Sequence, residues 1–189
     1  MLRGGCGEVH AVRRRCKRSA ISRLCRGPSR RLEAQGGGGF RVVRAKVVLT
    51  TGAFDILHLG HMKMLNDAKK LGGRRSKLVV LIASDKTVWK NKRRRPVFPA
   101  SERMKMIKNL KPVDDAIVGY DPLSFDKVMR RVKPDIVAFG YDQQRIKNEF
   151  LEYCRSRGLN VRVATLRRYR VNPMSSSEVI RRILARRKR

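Results

Sequence analysis

Five short β-branched runs alternating with segments of helical spacing predict an α/β protein, in which a parallel sheet of about five strands carries helices on both faces. The runs fall at residues 46–51, 77–83, 116–119, 135–140 and 160–165. A length of 189 residues, with 41% hydrophobic and 33% charged residues, suits one domain with a core large enough to fold alone.

The elements follow in order. Lys46-Val47-Val48-Leu49 opens the first strand, which stops at Thr51-Gly52. Helical spacing starts at residue 60, where Met64, Leu65, Ala68 and Leu71 share one face over 60–71. Leu78-Val79-Val80-Leu81-Ile82-Ala83 is continuously apolar, as a strand buried on both faces should be. The next stretch reads as a loop, before a helix over 101–110 with Ser101 as its N-cap candidate. Further helices are expected over 123–132 and 145–157, the latter ended by Gly158. The last helix, 175–187, has Ser177 as a cap candidate and presents Val179, Ile180, Ile183 and Leu184 to the core. Together these units make a doubly wound, Rossmann-like sheet.

Charge is the outstanding feature of composition. Lys and Arg number 47 against 15 Asp and Glu, a formal net charge of +32. Residues 1–44 hold twelve of those cations against Glu8 and Glu33, show no apolar periodicity, and end near the run Gly36-Gly37-Gly38-Gly39. They are expected to form a disordered basic extension ahead of a domain over 45–189. Three readings of that extension stand: a basic arm, an Arg-rich transit peptide, or upstream sequence ahead of a start near Val42 or Val43. Its Cys6, Cys16 and Cys25 lack Cys-x-x-Cys spacing and have only His10 nearby, which argues against a zinc site. Cys154 stands alone in the domain, as in a reducing cytoplasm. No apolar run approaches the ~20 residues of a membrane span.

Chemistry concentrates at the first strand-to-helix turn, Thr51-Gly52-Ala53-Phe54-Asp55-Ile56-Leu57-His58-Leu59-Gly60-His61. In an open α/β sheet, ligands bind beyond the carboxyl ends of the strands, where helix N-termini point at anions. Two of the three histidines lie here, three residues apart, with Gly60 between them. An isolated His-x-x-His is usually a solvated pair; the residues around this one say otherwise. Gly52-Ala53-Phe54-Asp55-Ile56-Leu57-His58-Leu59-Gly60-His61 resembles the G-x-F-D-x-x-H-x-G-H signature of the nucleotidyltransferase superfamily that includes cytidylyltransferases and pantetheine-phosphate adenylyltransferases. The resemblance continues through SDKTVWKNKRRRPVFPASERMKMIKNLKPVDDAIVG, VKPDIVAFGYDQ and NPMSSSEVIRRIL, and so covers about residues 46–185. The combination KPVDDAIVG, KPDIVAFGYDQ and SSSEVIRRI is most similar to the archaeal FAD synthases, which are FMN adenylyltransferases.

That resemblance implies attack by a phosphate oxygen of FMN on the α-phosphorus of ATP, with pyrophosphate leaving. The nucleophile, a phosphate monoester with a second pKa of about 6, needs no strong base, so catalysis rests on alignment and charge neutralisation. The resemblance casts His58 and His61 as the catalytic pair that contacts the triphosphate. It adds Ala53, Phe54, Leu59 and Gly60 as the backbone cradle of the nucleotide, Asp142 and Tyr169 near it, and Ser176 at a helix N-terminus suited to phosphate oxygens. Asp55 is expected to brace the turn. Lys86, Lys90, Lys92 and Arg103 flank the region where the superfamily places cationic ligands, yet in so basic a chain each reads first as a solvated surface residue. A divalent cation, most simply Mg²⁺, is expected to bridge phosphates through substrate and water, without a protein metal site. Two positions depart from the family pattern: Ala53 replaces a threonine, and Leu59 replaces a proline.

The expected partners are thus ATP and FMN, a second copy of the chain as a homodimer, and polyanions bound non-specifically by the surplus charge. No membrane is expected, and the cytoplasm is the expected location. Two alternatives remain. One is a cytidylyltransferase acting on a small phosphorylated alcohol such as glycerol 3-phosphate. The other is a basic nucleic-acid-binding protein, although no helix-turn-helix, zinc-finger or RNA-binding signature is present.

Overall fold

A computed structural model describes residues 44–187. The basic extension expected over 1–44 lies, except for its last residue, outside them. The elements are β1 (Val47–Gly52), α1 (Leu59–Leu71), β2 (Lys77–Ile82), α2 (Asp85–Lys92), α3 (Ala100–Lys108), β3 (Asp115–Val118), α4 (Phe125–Val132), β4 (Ile136–Phe139), α5 (Gln144–Ser156), β5 (Arg162–Thr165) and α6 (Ser176–Arg186). All five strands are parallel, in the order β3-β2-β1-β4-β5. The α/β sheet anticipated from the run pattern is the one observed.

Alternation along the strands explains why both faces are covered. In β2, Leu78, Val80 and Ile82 join Leu65, Ala68 and Ile107 in one buried cluster, while Leu81 joins Ile117, Val128, Phe139 and Phe150 in the other. Likewise Ile136 and Ala138 of β4 face one cluster, and Val137 and Phe139 the other. A strand with apolar residues on both sides of its pleat can be buried only between two helical layers. Here α1 and α3 supply one layer, and α4 and α5 the other.

The strand order reverses at β1: the chain winds outward through β2 and β3, then returns to place β4 and β5 on the other side. Loops leaving β1 and β4 therefore diverge and leave a crevice at the carboxyl ends of the strands. Gln143 spans it near its floor, accepting from the Gly140 amide at 2.8 Å and donating to the Thr51 carbonyl at 3.1 Å.

Four local expectations are corrected. The segment after β2 is helical: α2 is capped by Ser84, whose hydroxyl accepts from the Thr87 amide at 3.1 Å. Its eight residues bury only Val88, too few to print an apolar stripe. Helix α3 starts one residue early, at an N-cap Pro99, so Ser101 caps nothing. In α6 the cap is Ser175, which accepts from the Glu178 amide, rather than Ser177. The α6 stripe is also not core: Ile183 and Leu184 are 60% and 56% exposed. The first turn of α6 is anchored through buried Ser176 and the second through Arg182, which donates to the Asn172 side chain; among the described residues nothing covers the far end of its apolar face.

Candidate active site

The turn between β1 and α1 is held in an unusual backbone shape. Phe54 has φ of 49°, a left-handed conformation that costs a non-glycine residue free energy unless its surroundings enforce it. Burial enforces it here, since Phe54 belongs to the core cluster beneath the turn. Gly52 makes room: a Cβ at that position would lie 2.7 Å from the Phe54 ring. The Asp55 carboxylate is buried and accepts from Arg94 Nη1 at 2.8 Å, the Val97 amide at 2.6 Å and the Phe98 amide at 3.3 Å. It ties the turn to the segment between α2 and α3, the bracing role the sequence suggests.

His58 and His61 follow on the first turn of α1. His58 is the N-cap, and its Nδ1 accepts from the Gly60 amide at 3.2 Å. A neutral ring with Nδ1 so engaged carries its proton on Nε2 and donates from there. Gly60 is required by that fold-back, because a Cβ on it would sit 2.9 Å from both Cε1 and Nδ1 of His58. His61 packs its ring against His58, with centroids 3.9 Å apart, and against Phe54 at 5.1 Å. Its buried Nδ1 has no hydrogen-bond partner among the described residues. Burial, the neighbouring His58 and the Lys92 charge push the His61 pKa down to about 3. His58 is lowered in the same direction by burial and then by Lys92, with Glu178 opposing. Both rings are therefore neutral at pH 7, and a buried unpaired imidazole nitrogen is a group that a ligand can satisfy.

Around this pair opens a cleft of about 1640 Å³. Pockets for one small ligand run from ~300 to 1,000 Å³, so the space suits two substrates. Ala53, Phe54, His58, Gly60, His61, Asp142, Tyr169 and Ser176 all line it. Leu59 does not, and its side chain is exposed. Ser176 lies where expected, but its hydroxyl is already engaged, donating to the Ile56 carbonyl at 3.0 Å. What α6 offers the cleft is therefore its helix N-terminus. The Tyr169 hydroxyl is likewise engaged, with Asp67 at 2.8 Å, and its pKa is pushed up to about 12 by desolvation and that carboxylate. Tyr169 thus clamps the β5–α6 connection to α1 while its body forms a wall.

Of the cations read as surface residues, Arg103 proves otherwise, and Lys92 stays exposed but lines the cleft. Arg103 is fully buried and donates to the carbonyls of Phe98 (2.9 Å), Ala53 and Ala83 (2.9 Å), and to Asp85 at 2.6 Å. It fastens the ends of β1 and β2 and the segment before α3 into one floor. Lys92, the last residue of α2, lines the same cleft as the histidine pair, and its charge lowers the pKa of both imidazoles. Desolvation and the Arg94 charge lower its own pKa, with Asp55 and Asp142 opposing. Nothing in a run of six Lys, Asn and Arg singles out Lys92; only the helical phase of α2 does. Among the described residues no group of three or more His, Cys, Asp or Glu side chains converges as a metal-ligand set, and no helix is long and apolar enough to cross a membrane.

A parallel α/β sheet with an HxGH-bearing turn at its switch point defines a nucleotidyltransferase, and the chain belongs to the cytidylyltransferase-like family, whose model matches residues 49–182. It is 42% identical over 138 residues to the FAD synthase of Korarchaeum cryptofilum, with 72% of this chain and 90% of that one covered. The FAD synthase of Methanobrevibacter ruminantium is also 42% identical, over 137 residues, with the same two shares covered. That of Methanothermobacter thermautotrophicus is 40% identical over 139 residues, covering 73% of this chain and 91% of its own. Within the family, the chain's place is with the FAD synthases. A crystal structure described as the lipopolysaccharide core biosynthesis protein from Thermoplasma volcanium GSS1 superposes with a TM-score of 0.59 at 39% identity, covering 66% of this chain and 98% of that one.

Proposed function

We propose that the protein transfers AMP from ATP to FMN, giving FAD and pyrophosphate. The observation that carries this reading is the neutral, ring-to-ring histidine pair on the floor of a cleft large enough for both substrates. A phosphate oxygen of FMN forms a bond to the α-phosphorus of ATP as the bond from that phosphorus to the bridging oxygen of pyrophosphate breaks. Nε2–H of His58 and the His61 ring donate to phosphate oxygens whose charge grows in the transition state. The N-termini of α1 and α6 supply further amides, and Lys92 supplies a full positive charge. Ala53, Phe54 and Gly60 present backbone to the nucleotide, and Asp142 and Tyr169 border it. With both imidazoles neutral, binding the triphosphate raises their pKa values, so the pair gains positive character only where the anion sits.

Mg²⁺ supplies charge neutralisation on the triphosphate. Arriving with the triphosphate, it would be held chiefly by phosphate oxygens and water. The catalytic domain is residues 45–189, and the expected setting is the cytoplasm, where the buried Cys154 stays reduced. The surplus charge supports a second, weaker activity, salt-sensitive binding to polyanions.

The test incubates the full chain with ATP, Mg²⁺ and FMN, and separately with CTP, Mg²⁺ and glycerol 3-phosphate, and separates the products by chromatography. FAD in the first mixture is expected. Product in the second mixture alone assigns the chain to the cytidylyltransferase alternative.

A further inference from the structure

The histidine pair divides the cleft. On one side lie the ends of β4 and β5, with Gly140–Gln143 and the N-terminus of α6. On the other lie the ends of β2 and β3, with α2 and residues 119–123. If the α6 N-terminus holds the departing pyrophosphate, an in-line displacement brings the acceptor phosphate from the opposite side. The body of the acceptor then extends over α2.

That half carries the one tryptophan of the whole chain. Trp89 lines the cleft and is 51% exposed, although Val88 beside it is buried in the core. It precedes Lys92 by three residues, a spacing that puts both on one face of α2, and Lys92 lines the cleft together with the histidines. The Arg93 guanidinium lies 5.9 Å from the Trp89 ring centroid, and the Val97 side chain adds exposed apolar surface on the same wall. A large aromatic left half in water at the edge of a cleft lowers the free energy of a flat aromatic ligand far more than it helps the empty fold. The opposite half has its own exposed aromatic, Tyr141, with Arg168 at 5.6 Å from its ring, so adenine has a separate platform.

We infer that Trp89 is the platform for the isoalloxazine ring of the acceptor and sets the preference for a flavin phosphate over other phosphate monoesters. This rests on the FAD-synthase reading, in which the acceptor is FMN. Its content is a division of labour: the histidines and Lys92 hold phosphate of any acceptor, and Trp89 recognises the ring.

Steady-state kinetics on the full chain test it. Trp89→Ala should raise KM for FMN about tenfold while KM for ATP stays within twofold, and Trp89→Phe should recover most of the loss. Ribitol 5-phosphate, which keeps the phosphate and chain of FMN but lacks its ring, should be a poor acceptor for the unmodified protein and no poorer for Trp89→Ala. A rise in KM for ATP places adenine on Trp89 and overturns the inference. So does an unchanged KM for FMN in a variant that still makes FAD, which leaves the FAD-synthase reading intact. Failure of the unmodified protein to make FAD removes both.

Discussion

The imidazole rings of His58 and His61 lie with centroids 3.9 Å apart and planes tilted by 32°. Two protonated rings at that distance would repel; burial first, then Lys92, lowers the pKa of His58, and burial, the neighbouring His58 and Lys92 lower that of His61. The site is thus a pair of hydrogen-bond donors and polarisable rings held ready for an anion, rather than an acid and a base.

Removing either ring should lower kcat by about 10²- to 10³-fold, the usual size of a lost oxyanion-type contact. His58→Ala also loses the α1 cap, at a cost of about 1 kcal/mol. His61→Ala leaves that cap in place. Turnover beside thermal unfolding of each variant checks both statements; kcat near the unmodified value in the His58→Ala, His61→Ala double variant would refute the catalytic assignment.

Gly60→Ala separates geometry from chemistry. Its Cβ would meet the His58 ring at 2.9 Å and Val171 at 3.3 Å, so the ring must rotate away from the Gly60 amide. Activity should drop about tenfold or more while the thermal midpoint changes little, since alanine is a better helix former than glycine. Comparing kcat/KM with unfolding by circular dichroism reads the two effects apart.

Acid should weaken the fold through His61. Its pKa is about 3 in the folded chain against about 6.5 unfolded. Between those values the unfolded chain binds a proton that the folded one does not. Stability is therefore full above pH ~6.5 and falls as pH drops toward 3. His61→Phe, which keeps an aromatic ring beside Phe54, should flatten the part of that fall between pH 6.5 and 5, where few carboxylates titrate. Thermal midpoints measured across that range check it, and identical slopes for the two proteins would contradict it.

Arg103→Met tests the floor of the site. It fills similar volume but leaves the carbonyls of Ala53, Ala83 and Phe98 without a donor, and each unpaired buried acceptor costs about 1–3 kcal/mol. A loss of about 3 kcal/mol or more in urea unfolding is expected. A loss under about 1 kcal/mol would mean that water replaces the guanidinium.

The metal expectation is checked by chelation. EDTA should stop FAD formation and excess Mg²⁺ restore it, while the melting temperature of the protein without substrate stays constant, because no side-chain cage among the described residues depends on the ion.

The sequence by itself determined the sheet, the helices on both its faces and the position of the histidine turn, because these rest on period-2 and period-3.6 patterns and on a contiguous ten-residue motif, all local in the chain. It did not reveal α2, whose single buried residue Val88 prints no stripe. Nor did it reveal that Ile183 and Leu184 stand outside the core, since a stripe records only that a face is apolar and not what covers it. Tertiary structure alone decided which cations matter: Arg103 is withdrawn beneath the turn by three backbone carbonyls, and Lys92 is set in the lining of the histidine cleft. It also committed the Ser176 hydroxyl to Ile56, 120 residues away. These assignments depend on long-range packing, which takes Arg103 and Ser176 out of water and sets Lys92 at the cleft, and no local pattern in the chain records that.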